Sequence, residues 1–98
     1  MSLTVDQFQE TIEKTYLEKD SRRGLGGTFM WFVEEVGELG SALREGGPDE
    51  LAHEFADVFA WLTTLASLSG IKLSDAAGRY MDGCPRCHKI PCGCAEKS

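Results

Sequence analysis

Long apolar runs are missing from this 98-residue chain. No stretch approaches the roughly 18 apolar residues of a membrane span, so no membrane partner is expected. A basic excess is missing too: 16 Asp and Glu stand against 10 Lys and Arg, leaving a net charge of −6. That balance argues against a surface that coats nucleic acid. The opening residues, Met-Ser-Leu-Thr-Val-Asp, carry no basic-then-apolar leader pattern, which makes a reducing, cytoplasmic location the expectation. In that setting the four cysteines read as metal ligands or free thiols, not as disulfides. No strand pattern is visible, and the glycines at 24, 26 and 27 are not followed by the Gly-Lys-Ser/Thr of a phosphate loop. What is present is a 42% apolar fraction, enough for the core of one small domain.

Helical periodicity accounts for most of the chain. A first helix is expected over 4–19, capped by Thr4 or Asp6, with Val5, Phe8, Ile12, Tyr16 and Leu17 on its buried stripe. Lys14, Lys19, Arg22 and Arg23 read as a solvated face and favourable charge at a helix C-terminus, with phosphate binding as the alternative. Gly24, Gly26 and Gly27 read as a flexible connector, and Thr28 as the cap of a second helix over 29–45. That helix places Phe29, Phe32, Val33, Val36, Leu39 and Leu43 on one stripe, with Glu35 at its margin and Glu38 and Glu34 further round. Gly37 and Gly40 interrupt it and suggest close approach of another backbone or a ligand.

Gly46-Gly47-Pro48 ends the second helix and starts a third over 48–69, antiparallel to it. Its apolar stripe runs through Leu51, Phe55, Val58, Trp61, Leu62, Leu65 and Leu68. The opposite side, Ala52, Ala56, Ala60, Thr63 and Ser67, is small and almost uncharged. A helix with so little charge on any side is buried on most sides, so packing against a second subunit is expected there or beside it. A short fourth helix follows over 74–82, with Arg79 and Tyr80 near its end.

Four acids on the second and third helices carry the chemistry. Glu35 and Glu38 are three apart, and so are Glu54 and Asp57, which puts each pair on one side of its helix. Glu54 falls inside the apolar stripe between Leu51, Val58 and Trp61, where an ionised carboxylate needs a partner. Measured from the Gly-Gly-Pro connection, the two pairs lie at comparable heights. Four carboxylates from adjacent helices form a hard, all-oxygen site suited to Mg²⁺ or Mn²⁺. His53 lies on the less apolar side and reads as a surface or supporting residue, not a ligand.

A second constellation closes the chain. Cys84, Cys87, Cys92 and Cys94 follow the pattern C-x2-C-x4-C-x-C and can wrap one tetrahedral Zn²⁺, with His88 able to replace one thiolate. The plainer alternative is a tail with free or oxidised thiols. A redox role is disfavoured, because Cys84 and Cys87 do not sit at a strand-to-helix turn.

The run Glu34-Glu35-x-x-Glu38, then Glu54-x-x-Asp57 before an apolar aromatic run, resembles the all-α MazG-like nucleotide pyrophosphohydrolases. The likeness extends from about residue 5 to residue 82 and takes in Trp31-Phe32 and Gly37-Glu38-Leu39. It implies a four-helix bundle completed by oligomerisation, as a homodimer or homotetramer, with a MazG-like domain over 1–82 and a short Cys-rich tail over 83–98. It also implies hydrolysis of a nucleoside triphosphate between the α- and β-phosphates, giving monophosphate and pyrophosphate. By position, Glu35, Glu38, Glu54 and Asp57 would hold Mg²⁺, and Glu34 would bind a further ion or orient the attacking water. Metal ions neutralise a triphosphate and lower the pKa of bound water, so no protein nucleophile is required. Trp61 would line the base pocket, core packing being its alternative role. Many relatives carry a Lys and an Asn in the last helix for the phosphates. Here Arg79, beside Tyr80, stands where the Lys is sought, and the chain contains no Asn. The reading from a different class is a non-catalytic helical interaction module stabilised by zinc in its tail. A relative of the histidine pathway, acting on phosphoribosyl-ATP, is a further enzyme reading.

Overall fold

The computed structural model describes residues 2–96. Met1 and the last two residues of the expected tail, 97 and 98, lie outside the described residues. Helix α1 (Val5–Glu45) is followed by α2 (Pro48–Leu68), the short α3 (Leu73–Ala77) and a 3₁₀ turn (Gly78–Tyr80), with no strand among the described residues. The all-helical class is as expected.

Thr4 starts α1 with a reciprocal cap. Its hydroxyl accepts from the Gln7 amide at 3.0 Å, and its own amide donates to the Gln7 side chain at 2.8 Å. A straight helix of 41 residues would be about 61 Å long. The molecule measures only 43 Å in its longest direction. The difference arises at Gly24, whose φ of 83° and ψ of 173° break the helix into two arms.

The connector expected at 24–28 is therefore a defined kink. Gly26, Gly27 and Thr28 are helical, and Thr28 is fully buried within the second arm instead of capping it. Its hydroxyl donates to the Gly24 carbonyl at 2.7 Å and accepts from Arg23 Nη1 at 3.0 Å. Arg23 also donates to Asp20 Oδ1 at 3.0 Å, and Thr64 of α2 donates to Asp20 Oδ2 at 3.2 Å. Gly27 makes room for this: a Cβ there would stand 2.9 Å from Arg23 Cγ. Arg23, read above as solvated charge, has a side chain only 22% exposed, because Asp20 at 7% needs its guanidinium.

Both arms pack on α2. The first arm is fixed by Gln9, whose amide is satisfied on both sides. It donates to Ser67 Oγ at 3.1 Å and to the Ile71 carbonyl at 2.9 Å, and accepts from the Leu73 amide at 2.8 Å. Ser67 in turn donates to Glu13, and Phe8 stacks on Phe59 with centroids 4.6 Å apart. In the second arm the residues turned inward are Thr28, Phe32, Glu35, Leu39 and Ala42, a three-to-four spacing. Glu35 thus lies within the covered stripe and not at its margin. Phe29, Val33, Val36 and Leu43, expected on that stripe, are exposed within this chain. On α2 the covered stripe is Leu51, Glu54, Val58, Trp61, Leu65 and Leu68, while Phe55 and Leu62 are exposed.

Part of the small-residue side of α2 is used inside the chain, since Thr63 is fully buried and Ser67 bonds to α1. Apart from the helix's own backbone, no atom of the described residues stands within 4 Å of a Cβ placed at Gly37 or Gly40, so neither marks a close approach there. The 7510 Å² of accessible surface exceeds the roughly 5,500 Å² usual for a folded monomer of 10.8 kDa. The radius of gyration, 15.8 Å, exceeds the roughly 13 Å of a closed domain this long. Each long helix therefore presents a second apolar stripe that its own chain leaves uncovered.

Candidate active site

Glu35 and Glu54 face each other because each lies on the covered stripe of its helix. With Glu38 they bring one carboxylate oxygen each into a group whose members all lie within 4.8 Å. Glu35 Oε2 and Glu54 Oε1 are buried and have no hydrogen-bond partner among the described residues. Burial pushes the Glu35 carboxyl up to about 7, and the charges of Glu38, Asp57 and Glu54 add to the rise. Glu54 is raised as well, first by burial and then by Glu38 and Asp57, with His53 acting in the opposite direction. Asp57 stands outside the tight trio but is close enough to act on both buried acids. Glu34 is exposed and outside the cluster.

Buried oxygens without donors, crowded by like charges, must be protonated or bound to a cation. The donors are all carboxylate oxygens, which suit a hard divalent ion. The residues present therefore fit such a metal.

Against Asp57 opens a cavity of about 220 Å³, lined among others by Tyr16, Lys19, Arg23, Trp61 and Thr64. Trp61 is held in place as well as lining it: its ring lies 6.2 Å from that of Trp31 at 18°, and the Arg23 guanidinium sits 4.9 Å from its centroid. Packing and lining are thus combined in one residue. Arg79 and Tyr80, in the 3₁₀ turn, are exposed and do not line this cavity. Lys19 and Arg23 are the cations that do. Phosphate binding stood as the alternative to a solvated face for these two residues, and their place on the cavity wall favours it. A further signal was Asp20, an acid at helical spacing from Ile12 and Tyr16.

The four cysteines also converge. All are free, and their sulfurs lie within 4.8 Å of one another, with Cys84 to Cys94 at 3.8 Å and Cys87 to Cys92 at 3.9 Å. Backbone amides, led by Gly93, draw the Cys87 thiol down to about 6, while the neighbouring thiols, first Cys87, push Cys94 up to about 12.

The family model of the MazG nucleotide pyrophosphohydrolase domain matches residues 26–90 of this chain. No curated protein matches it. No helix among the described residues is long and apolar enough to cross a membrane.

Proposed function

Because the chain belongs to the MazG nucleotide pyrophosphohydrolase domain family, we propose that it hydrolyses nucleoside triphosphates to monophosphate and pyrophosphate. The observation that carries this reading is the pair of buried, donor-less carboxylate oxygens of Glu35 and Glu54 beside Glu38. Glu35, Glu38 and Glu54 would hold Mg²⁺, or Mn²⁺ in its place, with Asp57 completing the set from the next turn of α2. Such an ion supplies charge neutralisation for the triphosphate and a more acidic bound water.

The chain's own residues do the rest. Glu35 and Glu54, each turning one buried oxygen inward, define where negative charge accumulates. Glu34, at the exposed rim, has a carboxylate free to orient water or take up a further ion. Lys19 and Arg23 line the same cavity as Asp57 and would supply two cations for phosphate oxygens. Trp61, braced by Trp31, offers a flat apolar wall for a base. Arg79 and Tyr80 would serve the substrate only from another direction, across a subunit boundary.

The cavity of about 220 Å³ is smaller than the roughly 300–1,000 Å³ of a ligand pocket, which supports completion of the site by a second copy. The uncovered stripes, with Phe29, Val33 and Val36 on α1 and Phe55 and Leu62 on α2, support a homodimer or homotetramer. The helices up to about residue 82 would then form the hydrolase and the cysteine tail an appendage.

The test is a pyrophosphate-release screen over natural and damaged nucleoside triphosphates with Mg²⁺ and with Mn²⁺. Turnover of at least one nucleotide, abolished by EDTA and by Glu54→Gln, is the expected result. Full turnover by Glu54→Gln overturns the metal-site assignment. Absence of turnover across the panel favours the non-catalytic interaction module instead.

A further inference from the structure

The hydrolase reading leaves one constellation unused, the four thiols that follow the last helical turn. We infer that Cys84, Cys87, Cys92 and Cys94 hold one structural Zn²⁺ as a tetrathiolate, with His88 excluded from the ligand set.

The spacing of the sulfurs is the first ground. A zinc–sulfur bond of about 2.3 Å sets the edge of a regular tetrahedron at about 3.8 Å. The two closest pairs stand at 3.8 and 3.9 Å, and all four sulfurs fall within 4.8 Å of one another. A disulfide would need about 2.05 Å. A multi-iron cluster holds its thiolates on separate iron atoms and spreads them further. The distances fit one tetrahedral, sulfur-preferring ion.

The second ground is the backbone around the sulfurs. The Arg86 amide points at Cys84 Sγ at 3.4 Å, the Gly93 amide at Cys87 Sγ at 3.3 Å, and the Cys94 amide at Cys92 Sγ at 3.3 Å. Three N–H groups aimed at three sulfurs spread thiolate charge, the support a metal-bound thiolate requires. The loop that carries them is closed by backbone bonds: the His88 amide donates to the Cys84 carbonyl at 2.7 Å, and the Cys84 amide to the Lys89 carbonyl at 3.2 Å.

Gly83 lets that closure happen. Its φ is +102°, and a Cβ there would stand 2.8 Å from Ile90 Cγ1 and 2.9 Å from the Lys89 carbonyl oxygen. His88 occupies the turn itself, with φ of 59° and an exposed side chain. Its ring is not among the donors that come together. The site is also chemically separate from the acid cluster, because thiolates select a soft ion and carboxylates a hard one.

The experiment is elemental analysis of the full chain, purified under reducing conditions without chelator, followed by exchange of the bound metal for Co²⁺. One zinc per chain and the strong visible absorption of a tetrahedral thiolate cobalt centre are expected. Cys87→Ser and Cys94→Ser should each lose the metal, while His88→Ala should keep one equivalent and the same cobalt spectrum. Far-UV circular dichroism of the serine variants should show the helices intact. Wild-type protein with neither zinc nor cobalt absorption overturns the inference, as does iron in place of zinc. His88→Ala losing metal as fully as Cys94→Ser would replace the tetrathiolate with a mixed site. All of these readouts are independent of nucleotide turnover.

Discussion

The acid cluster, a tight trio with Asp57 beside it, and the cysteine knuckle, a tight group of four, are built in opposite ways. The knuckle is assembled by eleven consecutive residues, 84–94, and its geometry is fixed by amides within the same loop. The acid cluster spans α1 and α2 and exists only while those helices are packed face to face. The knuckle carries its own support for charge, three N–H groups pointing at sulfur. The acid cluster has none: two of its oxygens are buried without a donor. A ligand set prepared by local amides suits a permanent structural ion. A ligand set left electrostatically unsatisfied suits an ion that arrives with a phosphate substrate.

The largest effect expected from breaking this contrast is at Glu54. Glu54→Gln should lower pyrophosphate release by more than the roughly 100-fold that loss of a supporting residue costs a metal site. It should also raise the melting temperature of metal-free protein, since it removes a charge the fold disfavours. If the metal-free Glu54→Gln variant melts below the wild type, the native carboxylate is satisfied in some other way.

Next in size is the difference in chelation. EDTA added briefly should stop turnover completely and leave the zinc content unchanged, because the carboxylate site exchanges freely and the tetrathiolate does not. Activity and zinc measured on one sample decide this.

Arg23 links the fold to the cavity. Arg23→Ala should raise KM about tenfold or more through a lost phosphate contact, and destabilise the fold by about 1–3 kcal/mol because Asp20 loses its charged partner. Adding Asp20→Asn should restore much of the stability but not KM, a separation that kinetics and thermal melting would reveal.

A smaller effect follows from Glu35, whose carboxyl is raised to about 7. A group with a folded pKa above its unfolded value favours the folded state when protonated. Metal-free protein should therefore lose stability as pH rises from about 4.5 through 7, and Mg²⁺ should oppose that loss. Apparent Mg²⁺ affinity should fall by up to about tenfold per pH unit below 7, as protons compete for the site. Calorimetry at pH 5, 6, 7 and 8 with and without Mg²⁺ tests both. The mildest change is Gly24→Ala, expected to cost about 1 kcal/mol by straining a positive φ, with no effect on zinc content.

Much of this molecule was legible before its structure. The all-helical class, the Gly-Gly-Pro turn and the inward Glu54 followed from helical spacing, because a carboxylate between Leu51, Val58 and Trp61 has no other position to take. The expected break in the glycine run is present at Gly24 but is confined to that one residue. Three glycines and a threonine suggest a longer loop by propensity, but Asp20, Arg23 and Thr28 bond across the kink and let the helix resume directly after Gly24. The apolar residues of the second arm were read as one stripe. They divide into one that meets α2 and another that this chain leaves uncovered.

Spacing along the chain is enough to mark which atoms can become ligands: the i, i+3 acid pairs on their helices and the order of the four cysteines after them. Short-range spacing suffices there, since helix pitch and loop length set which side chains are neighbours. Packing is what puts Glu35 with Glu54 in the interior, leaves Asp57 outside the tight trio and sets Lys19 and Arg23 in one cavity wall with Asp57. Those placements depend on the rotation of α1 against α2 and on one backbone angle at Gly24. Both are settled by packing between residues far apart in the chain.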